Sequence, residues 1–296
     1  MRRAELQSDN ALENAIGLME AAVSDFDEAL AVHPGDEPAA GARKTAEATL
    51  IPWRFKLADQ LFELGLQAKA VSVEDAIGHW QKAAAEYGKI LEKEPAHAGA
   101  KSGREKINTA MHDAHVELGA TKELLAEAPS LSAGERDALL EQALEHFQTA
   151  ATLAPQNPQT REHVERVGRK LTGLFVSRGQ AELAEAKQRA ATRLPEAIAA
   201  AERAGQSFGQ ALRFAPDHAG AKAGRAEAEA LLKRLRELDA REQRRILGEG
   251  KDLKDPKDLE NPDKLALKLL DFDNDKLASK KQQNLSAPEN RPLKHW

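Results

Sequence analysis

Two histidines three residues apart, His112 and His115 in MHDAHVE, are the first side chains whose spacing suggests chemistry. On a helix they share a face, with Glu117 close by, and two imidazoles so placed can hold a metal ion. No third ligand follows at a useful spacing, so solvent-facing histidines are the plainer expectation. Asp271, Asp273 and Asp275 (DFDND) open like a calcium loop. That loop needs Gly at its sixth position and a bidentate Glu at its twelfth. Lys276 and Gln282 stand there instead, so a solvated acidic turn is expected. No phosphate loop, nucleophile elbow or dinucleotide fingerprint occurs. The chain has no cysteine, which removes thiolate sites and disulfides. The expectation is no enzyme, no cofactor and no metal.

The more suggestive pattern is basic. Lys101, Arg161 and Lys222 lie six residues after prolines, and Arg43, Arg104 and Arg225 lie nine after. Positions six and nine share a helix face, so stacked copies would align them as a track for an acidic peptide or a C-terminal carboxylate. The plainer reading, which we prefer, is ion pairing with acids on the preceding helix, such as Glu92 and Glu94. Trp296 closes the chain, and an indole beside a free carboxylate can dock into a partner's pocket or sheet edge. It can equally fold back on its own chain.

Composition sets the elements that must carry these residues. The chain of 296 residues is 31% charged and only 4% aromatic. Ala, Leu, Glu, Lys, Gln and Arg dominate, and these residues lose little freedom in a helix. The net charge of −5 does not suit a nucleic-acid binder. No run of about 18 apolar residues exists, so no spanning helix is expected. MRRAELQSDN carries two arginines without an apolar run, so it is not an intact signal peptide. A cytoplasmic location follows by default, and a periplasmic or membrane-associated one if a signal or anchor is missing upstream.

An internal rhythm organises the chain. FDEALAVHP (Phe26 to Pro34), YGKILEKEP (Tyr87 to Pro95), FQTAATLAP (Phe147 to Pro155) and FGQALRFAP (Phe208 to Pro216) share one pattern, and their prolines are 61, 60 and 61 residues apart. In each, the ring and the residue four later lie on one helix face, and proline ends the helix. PAHAGAKSGR after the second matches PDHAGAKAGR after the fourth. There His97 and His218 hold one position, which predicts one packing or capping role. Ser72 with Asp75, the capping box of Ser132 and Glu135, and Pro195 mark the opposite turns. Helices are expected over residues 4–33, 38–69, 73–94, 98–127, 133–154, 158–191, 195–215 and 219–247. Each would be roughly 27 residues and roughly 40 Å long.

LADQLFELG (Leu57 to Gly65) and AIGHWQKAAAEYGKILEKEP (Ala76 to Pro95) resemble the two halves of a tetratricopeptide repeat. HVELG (His115 to Gly119) and LFVSRG (Leu174 to Gly179) repeat the ending of the first half at a glycine. The resemblance covers roughly residues 20–247 and implies an all-α, right-handed solenoid of antiparallel helical hairpins. Its units here are nearly twice the usual 34 residues. Residues 1–248 are thus expected to form one helical repeat domain of four repeats.

Residues 249–296 are expected to be a charged linker, a short amphipathic helix bearing Leu265, Leu269 and Phe272, and a disordered tail. Leu269, Leu270, Asp271, Lys294 and Trp296 loosely resemble the C-terminus of tetratricopeptide proteins of bacterial Bat (aerotolerance-type) operons. That likeness implies an envelope-associated adaptor beside von Willebrand-type A domain proteins.

The reading is a non-enzymatic scaffold or adaptor for protein or peptide partners. Two alternatives stand beside it. One is a self-associating helical rod, because the first unit lacks its first helix and leaves the flank of Phe26 and Leu30 uncovered. The other is a helical small-molecule binder, with Trp53, Phe55, Phe62 and Trp80 lining a pocket.

Overall fold

A computed structural model describes residues 2–246, with side chains from 11 to 244. The charged linker, the stretch bearing Leu265, Leu269 and Phe272, the turn of Asp271, Asp273 and Asp275, and the terminal Lys294 and Trp296 lie outside the described residues. Among those described there are eight helices and no strand: α1 (Arg2–Val32), α2 (Glu37–Lys69), α3 (Val73–Lys93), α4 (Ala98–Leu125), α5 (Ala133–Leu153), α6 (Pro158–Arg189), α7 (Leu194–Phe214) and α8 (Ala219–Ile246). No described helix is long and apolar enough to cross a membrane.

The hairpin arms are unequal, as the expected ranges implied, although their mean length of roughly 27 residues hides it. The second helices α3, α5 and α7 have 21 residues each, while α2, α4, α6 and α8 have 28 to 33. The second helices are shorter because Ser72, Ser132 and Pro195 start them late and the rhythmic prolines stop them early. Pro52 sits inside α2 without breaking it. It is exposed, so water can serve the carbonyl one turn back that its missing N–H leaves free.

Each rhythmic proline stands in the turn that follows α1, α3, α5 or α7, and the residue two places on caps the next helix. Asp36 accepts from the Ala39 N–H at 3.0 Å, and Asn157 from Gln159 at 3.0 Å and Thr160 at 3.3 Å. His97 accepts from Ala100 through Nδ1 at 3.1 Å, and His218 does the same for Ala221 at 3.1 Å. Any side chain with an acceptor at that reach satisfies an orphan N–H of the first turn. Ser72 caps α3, and Ser132 with Glu135 closes the capping box of α5.

The chain forms two compact units, Met1–Val167 and Gly168–Trp296, and the division falls within α6. In the first unit α1 packs on α2, α2 on α3, α3 on α4 and α4 on α5. Its core gathers Leu50, Leu57, Leu61, Ile77, Ile90 and Ile107 around Trp80. Arg54, largely buried, bonds Glu20 of α1 and Glu86 of α3 (3.1 Å), which ties three helices together. In the second unit α7 packs on α8, around Ala197, Ala200, Ala201 and Leu235.

Glycines seat the rings of the second helices. An added Cβ would lie 2.3 Å from Trp80 at Gly65, 2.3 Å from Tyr87 at Gly103, 2.8 Å from Phe147 at Gly119, and 2.4 Å from Phe208 at Gly224. Gly179 supports Phe208 from the other side at 3.0 Å. Gly65, Gly119 and Gly179 do not end the first helices, unlike the glycine of the tetratricopeptide resemblance but in keeping with the expected ranges 38–69, 98–127 and 158–191. They lie several residues inside them, where the missing side chain makes room for a ring. The Tyr87 hydroxyl donates to Asp59, and burial with that carboxylate holds its pKa well above the usual phenol value.

Candidate interaction surfaces

The six described basic residues of the expected track sit on four first helices, and three of them are ion-paired. Arg43 on α2 meets Asp27 of α1 and Glu47 at 3.5 Å. Lys222 meets Asp217 at 2.9 Å, and Arg225 meets Glu229 at 2.8 Å, both in the second unit. Lys101 and Arg104 on α4 and Arg161 on α6 are exposed. Lys222 draws the Asp217 carboxyl below its ordinary pKa by hydrogen bonding and charge. The acids used are thus Asp27, Glu47, Asp217 and Glu229 rather than the expected Glu92 and Glu94. Exposed pairs of this kind contribute little stability, and their cations are partly neutralised toward a ligand. Trp296, the seventh candidate, lies outside the described residues.

The two histidines of MHDAHVE are not solvent-facing. His115 is buried and His112 largely so, and they diverge to different neighbours. His112 meets Thr160 through Nε2 at 2.8 Å and Asp113 through Nδ1 at 2.9 Å. It thereby ties α4 to the start of α6. His115 and His146 bring their Nδ1 atoms to 3.1 Å, linking α4 to α5. His163 stacks on Phe147 with centroids 4.7 Å apart and meets Arg166, whose guanidinium forks onto Glu123 at 2.7 and 3.2 Å. Burial pushes the pKa of His115, His146 and His163 below the ordinary imidazole value. His112 and His115 thus do not share a ligand, and no group of three or more potential metal ligands occurs among the described residues.

The aromatic group offered as a pocket lining fills the core instead. Trp80 is 1% exposed and donates from Nε1 to the Phe62 carbonyl at 3.2 Å. Phe55 packs edge-on to Tyr87 at 5.6 Å and beside His97 at 5.5 Å. The space a pocket around Trp80 would need is occupied by these rings.

Large aliphatic side chains are exposed on α1 (Leu18 75%, Val32 71%) and at the ends of α2 and α4. Leu66 and Val71 stand at the end of α2, 44% and 90% exposed; Leu124 and Leu125 end α4, 70% and 50% exposed. Lys69 bonds Glu117 at 3.1 Å, so the end of α2 lies beside α4. Sequence reasoning missed this set, although a signal was present. The buried stripe of Ile107, Met111, Ala114 and Leu118 leaves Leu124 out of phase.

Neither a family model nor a curated protein matches the chain. Among solved structures it is similar to one described as "DHF58 filament", at 18% identity, over 78% of this chain and 99% of that one, with a TM-score of 0.21. A superposition that poor carries no argument about fold or assembly.

Proposed function

We propose that the chain is a non-enzymatic scaffold for protein partners, built as a right-handed solenoid of tetratricopeptide-like hairpins on a repeat of about 60 residues. Repeated capping and ring seating support the architectural half of this reading: a capping side chain recurs two residues after all four prolines, and ring-seating glycines recur 24 residues after two of them (Gly119, Gly179) and eight after two (Gly103, Gly224). The observation that carries the binding half is the exposed aliphatic set Leu66, Val71, Leu124 and Leu125 at neighbouring hairpin tips. Exposed apolar side chains at the ends of helices that an ion pair holds side by side mark a site where another protein can bury them. The two histidines of the candidate metal pair are meanwhile engaged, His112 with Thr160 and His115 with His146, and the rings fill the core. The partner class implied by the tail, von Willebrand-type A domain proteins of a bacterial envelope complex, belongs to the same proposal.

Crosslinking with mass spectrometry in native cells tests it. The comparison is between the wild type, a Val71→Ser/Leu124→Ser/Leu125→Ser variant, and an Arg104→Glu/Arg225→Glu variant. A protein captured by the wild type and lost from the serine variant supports the aliphatic tips. Loss from the charge-reversed variant alone moves the site to the basic track. No specific protein captured by any of them overturns the scaffold reading.

A further inference from the structure

The second helices bury one stripe almost completely, and α1 leaves the matching stripe open. Counted from the ring, positions −7, −4, 0 and +3 are Trp80, Ala83, Tyr87 and Ile90 in α3, at 1%, 0%, 2% and 0% exposure. In α5 they are Leu140, Ala143, Phe147 and Ala150, and in α7 Ala201, Ala204, Phe208 and Ala211, none above 4%. In α1 the same positions are Met19, Ala22, Phe26 and Ala29. The first three are half-buried and Ala29 is exposed. The difference has a plain cause. Phe208 is wedged between a first helix before it (Gly179) and one after it (Gly224), whereas among the described residues the first helix packed on α1 is α2, with Lys89 of α3 reaching Glu20 at 3.8 Å.

Helix α8 carries the reciprocal gap. In α4 the residues 16, 20 and 24 after the proline are Met111, His115 and Gly119, all buried, and Gly119 receives Phe147 of the next helix. In α6 they are Leu171, Phe175 and Gly179, buried too, and Gly179 receives Phe208. In α8 they are Leu232, Arg236 and Ala240. Leu232 is half-buried and the other two are exposed. With Glu229, Lys233 and Glu237 they line an open groove. Ala240 stands where α4 and α6 hold the glycine that seats a ring.

We infer that α8 of one copy docks on α1 of a second copy, supplying the first helix that α1 lacks, with Phe26 against Ala240. Charge favours this occupant. From Ala11 to Val32, α1 has no basic residue, and Glu13, Asp25, Asp27 and Glu28 are exposed. On α8 between Glu229 and Arg244, the exposed Lys233, Arg234, Arg236, Arg241 and Arg244 outnumber the exposed Glu229, Glu237 and Glu242. Arg236, in the middle of this face, already reaches Glu202 of α7 at 2.7 Å. The contact is head-to-tail, so each copy keeps one end of each kind. It does not depend on the Leu124 surface and needs no other protein.

Sedimentation velocity on the purified full chain across a concentration series tests it. The wild type should rise from 32.2 kDa to at least twice that mass. Ala29→Arg blocks the α1 stripe and Ala240→Arg blocks the groove. Both positions are exposed, so the fold is spared, which circular dichroism checks. Each variant alone should stay monomeric. Their equimolar mixture should form a 1:1 dimer and stop there, because the free α8 of one meets the free α1 of the other. A wild type monomeric throughout overturns the proposal. So does a variant that still self-associates, or a mixture that stays monomeric.

Discussion

Gly119 of α4 lies directly beneath the Phe147 ring of α5, so that a methyl group there would come within 2.8 Å of the ring carbons. The ring is fully buried and stacked on its far side by His163, so it has nowhere to retreat. Gly119→Ala should cost about 1–3 kcal/mol, the usual penalty for overpacking a closed core. Gly65→Ala beneath Trp80 should cost as much. Gly78→Ala and Gly209→Ala, helical positions with open space, should instead stabilise by about 0.5–1 kcal/mol through reduced chain entropy. Urea midpoints decide it, and equal effects at Gly119 and Gly78 would remove the ring-seat account.

The capping side chains give a second test. His97→Ala and His218→Ala each remove the acceptor for one N–H at the start of a first helix. Each should lower stability by about 0.5–2 kcal/mol. Replacement by Asn or Asp, which hold the same position as Asn157 and Asp36, should restore most of it. A loss that Asn and Asp fail to repair would mean that ring packing, as of His97 on Phe55, is the real contribution.

These two cases show what was legible in one dimension. Proline, Ser72 and Ser132 act on their own few residues, so the expected 73–94 and the observed Val73–Lys93 nearly coincide. The shared role of His97 and His218 was readable for the same reason. His115 was not, because its partner His146 is on another helix and an imidazole suits a wet face or a dry one equally. Arg225 with Glu229 was available in the sequence as an i,i+4 pair, whereas Arg43 with Asp27 needed the turn between their helices to be closed. The division at Val167 within α6 has no local signal, since that helix runs unbroken through it.

Acid should loosen the first unit through its buried imidazoles. His115, His146 and His163 all have pKa values lowered from 6.5, chiefly by burial. The unfolded chain therefore binds these protons more readily than the folded one. Their stabilisation is full above pH 6.5 and falls as the pH drops below it, through the folded values. A His115→Gln/His146→Gln variant should show a flatter dependence of urea midpoint on pH between 7.5 and 5 than the wild type, within about 1 unit of the imidazole range. An unchanged slope would assign the acid sensitivity elsewhere.

The rings of the four matching segments should not be energetically equal. Phe147 and Phe208 are 0% and 1% exposed, and each is enclosed by neighbouring helices. Truncating either to Ala deletes a closed aromatic contact and leaves a cavity, at a cost of about 3–5 kcal/mol. Phe26 holds the same place in its segment but is only half-buried, and among the described residues α1 packs chiefly on α2. Phe26→Ala should therefore cost roughly half as much when measured in dilute monomer, since both the transfer and cavity terms scale with enclosure. Chemical denaturation at low protein concentration measures the three variants side by side. If Phe26→Ala proved as damaging as Phe147→Ala in the monomer, the open flank of α1 would already be covered by the chain itself, and no second copy would be needed to fill it.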